Sequence, residues 1–208
     1  MIVVTQDQLA INGNMNKLLV YKKAYNGFTL VKTFNTDFKL WGIHMVGDDL
    51  YAVVDLTGDI VMFKDFMSKA PGMITATKRV TIAGLTRTHG ITYSAADDVM
   101  ILTDVADAAS ATDGGLVLIK NFSSVFASTA ASGTIALSNQ VRIYGPNSKL
   151  GNPVDVAYDS VTNYIYVAER LNAGGQVLTY SYPMASGDFA PINSRAELGV
   201  TSIFVLRK

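Results

Sequence analysis

The chain has 208 residues, 49% of them hydrophobic and only 16% charged, with 17 basic against 17 acidic side chains and no cysteine. That length suffices for one domain with a substantial core. Zero net charge, with no basic run longer than Lys22-Lys23, Lys78-Arg79 or Arg207-Lys208, excludes an electrostatic footprint for nucleic acid or anionic membrane. The missing cysteines exclude disulfides, thiol nucleophiles and cysteine zinc sites. The opening MIVVTQDQLAI has no basic region, sustained apolar core or small-residue cleavage site, so it does not read as a signal peptide. No apolar run approaches the ~20 residues that span a bilayer. We therefore expect a soluble protein with no membrane insertion, and the low-charge composition points to a bacterial, exported one, periplasmic or extracellular.

In chain order, Ile2–Thr5, Lys17–Lys22 and Phe28–Phe34 predict strands from their β-branched and aromatic content. A polar loop with Asn12, Gly13, Asn14 and Asn16 separates the first two, and Asn26-Gly27 turns the chain into the third. Four more strands follow at Leu40–Val46, Leu50–Asp55, Asp59–Lys64 and about Thr75–Ala83. Another four are read at Gly90–Ser94, Val99–Asp104, Gly115–Lys120 and about Thr134–Tyr144. The last group is Val154–Tyr158, Tyr164–Glu169, Gln176–Tyr182 and Phe189–Leu198, with Val200–Leu206 left alone. Helical periodicity is absent, and Ser123–Ala131 reads as loop or a single turn.

The units repeat. Gly90–Phe122 runs as a strand opened by glycine, a turn, a strand ending on an acid, and a third strand after a Gly-rich loop; Gly42–Phe66 and Pro153–Tyr182 repeat this order. Four short strands per unit of about 40–50 residues is the period of a propeller blade. The expected fold is all-β: a single β-propeller domain of four blades, each of four antiparallel strands. The blades would be 1–38 with 198–208, then 39–86, 87–150 and 151–197. Val200–Leu206 beside Ile2–Thr5 would complete the first blade and remove a free sheet edge. A larger or incomplete propeller and another all-β fold are the alternatives.

Pro153-Val-Asp-Val-Ala-Tyr-Asp followed by Tyr164-Ile-Tyr-Val-Ala-Glu resembles the NHL-type repeat, in which a P-x-G-I-A-V-D strand precedes an I-Y-V-A-D strand. Gly90-Ile-Thr-Tyr with Val99–Asp104, and Gly42-Ile-His-Met with Leu50–Asp55, are looser versions. The resemblance implies a propeller serving as a platform for protein, RNA or glycan, or, in a few members, a lyase or lactone hydrolase with an axial metal.

Candidate chemistry is sparse. The second strands end on Gln6, Asp55, Asp104 and Glu169. The three carboxylates either converge on a divalent cation such as calcium or cap backbone amides of their own turns. His44 and His89 are the only histidines and open first strands; each is a metal ligand, an acid–base group or a hydrogen-bonded structural residue. Aligned by the Gly-Ile pair, His44 matches Thr92, Asp155 and Thr201, and His89 matches Trp41 and Asn152. Trp41, Tyr93, Tyr144 and Tyr158 either stack on a ligand or pack between blades. The loop carrying Asp107 and Asp113 fits no standard calcium pattern. No Ser/His/Asp motif, P-loop or HExxH is present.

The leading expectation is a non-catalytic scaffold needing no cofactor. It would bind a protein or glycan partner through Trp41, His44, His89, Asp107, Asp113, Asn152 and Asp155. The alternatives are a metal-assisted lyase or hydrolase using Asp55, Asp104, Glu169 and a histidine, and a structural subunit of a surface assembly.

Overall fold

The computed structural model describes residues 1–6 and 16–206; Asn12, Gly13 and Asn14 of the expected polar loop lie outside the described residues. Strands β1 (Ile2–Gln6), β2 (Lys17–Ala24) and β3 (Gly27–Asn35) open the chain. Strands β4 (Leu40–Val46), β5 (Asp49–Val54), β6 (Asp59–Phe63), the two-residue β7 (Gly72–Met73) and β8 (Lys78–Ile82) follow. Next come β9 (Thr88–Ser94), β10 (Val99–Asp104), β11 (Gly115–Lys120), helix α1 (Phe122–Ser128), the short β12 (Thr134–Ile135) and β13 (Val141–Tyr144). Strands β14 (Pro153–Asp159), β15 (Tyr164–Glu169), β16 (Gln176–Ser181) and β17 (Asn193–Ala196) complete the set.

The fold is all-β, with four sheets of four or five strands: β1-β2-β3-β7, β12-β8-β6-β5-β4, β13-β11-β10-β9 and β14-β15-β16-β17. The first strand of each sheet lies at its edge, and these edges gather: β1 against β4, β4 against β9, β9 against β14. Side chains alternate between faces along a strand, so each inner sheet feeds two cores. Leu50 and Ala52 of β5 face Leu18, Val20 and Phe34 of the first sheet, while Val53 packs with Met100 and Leu102 of the third. Val99 and Ile101 of β10 turn the other way, onto Val156, Ile165 and Val167 of the fourth. This is why β10 reads VMILT as an unbroken apolar run: both faces are covered, and all six of its residues are buried.

Glycine opens β4's core segment and β9 for a steric reason. A methyl on Gly42 would overlap the carbonyl oxygen of His89, and one on Gly90 would sit 2.8 Å from Asp155 Cα. The first strands thus meet backbone to backbone, closer than any side chain permits.

Three features depart from the expectation. Ser123–Ala131 is not a loop: α1 forms because Phe122 and Phe126, one helical turn apart, both bury, with ring centroids 5.5 and 5.4 Å from Tyr51. Its C-terminal end is tied by Lys78, whose ammonium donates to the Phe126 carbonyl. Secondly, each later sheet lends backbone to the sheet before it. β7 pairs parallel with β3, β12 pairs parallel with β8, and Gly187 bridges Ile143 of β13. These loans cover outer edges that would otherwise be left unpaired.

Thirdly, Val200–Leu206 does not complete the first sheet. Residues 201–206 carry no strand, and β1, expected as a second strand, is itself the first strand of its sheet. With β1, β2 and β3 in the first three positions, no inner place is left for a C-terminal strand. The outer face of that sheet stays open, with Ile2, Val4, Phe28 and Leu30 between 42% and 57% exposed.

If the glycine contacts set the sheet spacing, Gly90→Ala should destabilise the fold by about 1–3 kcal/mol, the usual cost of overpacking. Urea unfolding measures this, and an unchanged midpoint would show that β9 and β14 can separate freely.

Candidate functional site

The gathered first strands enclose a cavity of about 380 Å³, walled by β4, β9, β14 and the segment 203–205. Three of the four matched repeat positions, His44, Thr92 and Asp155, line it, with Tyr93 and Tyr158 beside them, while the fourth, Thr201, does not. Equivalent placement on neighbouring strands is what brings them together. Asp155 is held from two sides. Its Oδ1 accepts from the Val156 amide (2.9 Å), and its Oδ2 accepts from the Ile203 amide (2.9 Å) and the Ser202 hydroxyl (3.0 Å). Burial pushes its carboxyl above the ordinary value, against those three hydrogen bonds. Burial also lowers His44 below the ordinary 6.5, opposed by a hydrogen bond to the Tyr93 backbone. Two acid–base groups with displaced pKa values therefore share one cavity. The tyrosine hydroxyls are already used, Tyr93 on Asp98 (2.9 Å) and Tyr158 on Asn163 (3.0 Å).

The opposite end of the first strands holds Trp41, His89 and Asp55. The Trp41 and His89 rings stack at 4.0 Å and 12°. His89 Nε2 donates to Asp55 Oδ1 (3.1 Å), and its Nδ1 is buried with no partner among the described residues. Arg87 and Lys39 complete the cluster, each 2.9 Å from the Asp55 carboxylate. Burial alone would raise Asp55, but the hydrogen bonds from His89, Arg87 and Lys39 hold it far below the usual carboxylate range. Neither Arg87 nor Lys39 carried a sequence signal; only Arg87's position two residues before His89 hints at a shared face.

The other carboxylates act locally. Asp104 accepts from the amides of Thr86, Arg87 and Ala106 and from the Tyr144 hydroxyl. Glu169 accepts from the amides of Gly151, Asn152, Leu171 and Asn172, each at 2.9 Å. The structure does not bring Asp55, Asp104 and Glu169 together, and among the described residues no group of three His, Asp or Glu side chains could hold a metal ion. Asp107 and Asp113 serve their own loop, Asp113 accepting from the Asp107 amide. That loop lies down on the fourth sheet, where Asn152 donates to Ala108 and Asn172 to Ala111. It is a packed connection, and Asn152 is a strut of it.

No protein-family model matches this sequence, nor does any curated protein. The NHL-type repeat is thus not established; four β-sheets in series are what stands of it. A crystal structure of a protein from Bacteroides uniformis, described as a "putative 6-phosphogluconolactonase", is similar in fold, with 16% identity and a TM-score of 0.49. The match covers 88% of this chain and 51% of that one, so the chain spans about half the length of that protein. The description of that protein names an enzyme, contrary to the expected non-catalytic scaffold. No helix among the described residues is long and apolar enough to cross a membrane.

Removing the carboxylate in Asp55→Ala would leave Arg87, Lys39 and His89 without their shared acceptor. We expect a loss of about 3 kcal/mol, the low end for a broken buried pair, because Lys39 and Arg87 reach solvent. Asp55 is depressed in the fold, so its contribution is present above the ordinary carboxylate range and is lost as pH falls toward the depressed value. Chemical denaturation at pH 7 and pH 3 should therefore show a gap between wild type and variant that shrinks with acid; a constant gap would contradict the ionic origin.

Proposed function

We propose that the four sheets are the blades of an open propeller-like array forming one domain, and that its axial cavity is the active site of a hydrolase acting on a small molecule. The observation that carries this reading is the sharing of one cavity of about 380 Å³ by His44 and Asp155. A cavity of that size fits a small substrate. Hydrolysis of a cyclic or linear ester needs a base to activate water and an acid for the departing oxygen, and these two groups supply both.

A lowered pKa keeps the His44 imidazole neutral, and so able to accept a proton, to lower pH than an ordinary histidine. It takes a proton from water as the oxygen adds to the carbonyl carbon. A raised pKa lets the Asp155 carboxyl hold its proton to higher pH than an ordinary aspartate. Its Oδ1 accepts one hydrogen bond and keeps a lone pair that can carry that proton. When the carbon–oxygen bond breaks, the proton passes to the leaving oxygen, and exchange with solvent restores both groups. The reading draws no step from Asp55, Asp104 or Glu169, whose oxygens are committed elsewhere.

Two outcomes follow. Against a panel of small lactones and esters, wild type should turn over at least one substrate, and His44→Gln should lower kcat/KM by about 100-fold or more while the melting temperature stays close to wild type. The pH–rate profile should be bell-shaped, one limb set by a base lowered from 6.5 and the other by an acid raised from 3.8. No turnover across the panel, or full activity in His44→Gln, would overturn the proposal.

A further inference from the structure

The charge of the cavity wall narrows what can enter it. The only ionisable groups with free capacity facing the cavity are the Asp155 carboxyl and the His44 imidazole, and among the described residues that line it none is lysine or arginine. Lys39 and Arg87, which immediately precede β4 and β9, are bound to Asp55 at the other end of those strands. Two of the backbone donors there, the amides of Val156 and Ile203, are directed onto Asp155 itself. The tyrosine hydroxyls donate outward, Tyr93 to Asp98 and Tyr158 to Asn163, so both present ring surface to the cavity. Ile43, Ile91 and Phe204 supply the remaining apolar wall.

A wall of acceptors and ring faces suits a ligand rich in hydrogen-bond donors. An anion brought there would lose its water beside a carboxylate with no cation to replace it. We infer that the axial cavity takes small hydroxyl- or amine-bearing molecules without anionic groups, and that phosphorylated or carboxylated ones are turned away. The inference rests on the reading of that cavity as the functional site, and it names the substrate class of that site. Asp155 is the residue that sets the preference, through the charge it carries when its acid proton is off, and Thr92 adds one hydroxyl that can accept or donate.

The test uses one carbon skeleton in three charge states: sorbitol, its amine glucamine, and sorbitol 6-phosphate. The readout is the His44 ring resonances in the full chain, assigned with His44→Gln. Sorbitol and glucamine should move the His44 signals in a saturable way, and sorbitol 6-phosphate should need at least ten-fold higher concentration. In Asp155→Asn, glucamine should lose at least ten-fold in affinity while sorbitol changes less, a difference that general loosening of the cavity would not produce. Saturation by sorbitol 6-phosphate at equal or lower concentration would overturn the inference and leave the cavity as the site. If none of the three moves His44, the cavity itself is the wrong site, and both readings fall together.

Discussion

The arrangement depends on how closely the first strands of successive sheets approach. Gly42 lies against the His89 carbonyl and Gly90 against the Asp155 backbone, so β4, β9 and β14 meet without side chains between them. Everything else follows from that spacing. It sets the sheets face to face at a distance that leucine, isoleucine and phenylalanine fill, giving one core per sheet pair. Beyond the glycines, the strands carry His44, Thr92 and Asp155 on a common cavity.

The sheets are locked at their outer ends by a second device. β7, β12 and Gly187 each reach back from a later sheet to the edge of the one before. At the other end of the first strands, Asp104 and Glu169 each gather the two amides that lead into the first strand of their own sheet. Asp55 departs from that pattern, holding three side chains instead, and so binds the second and third sheets together ionically. The cavity, which has no lysine or arginine among its described lining residues, and the cation-rich Asp55 cluster thus lie at opposite ends of the same strands.

Much of this was legible in the sequence where an apolar strand is bounded by turn residues. β4, β10, β11 and β15 have the expected bounds, because apolar and β-branched runs between turn residues admit little else, most plainly in β10 and β11, which are buried on both faces. The lending segments were not legible: Gly72–Met73 and Thr134–Ile135 are too short to show periodicity, and their partners are distant in the chain. Val200–Leu206 has the composition of a strand but no edge to join, a fact that only the position of β1 reveals. In the site, repeat alignment placed His44, Thr92, Asp155 and Thr201 at one level, and the first three meet at the cavity while Thr201, on a segment without strand structure, does not. The same alignment grouped Asp55 with Asp104 and Glu169, whereas their partners differ, because side-chain donors such as Lys39 and Arg87 are not marked by any spacing.

The central claim is that His44 sits in the cavity between the first strands as a neutral acid–base group. An NMR titration of its ring, assigned against His44→Gln, measures this directly. The expected result is a pKa below the ordinary 6.5, with burial outweighing the hydrogen bond to the Tyr93 backbone. A value at or above 6.5 would mean that the ring is solvated or paired with an anion, and the axial site as described would not exist.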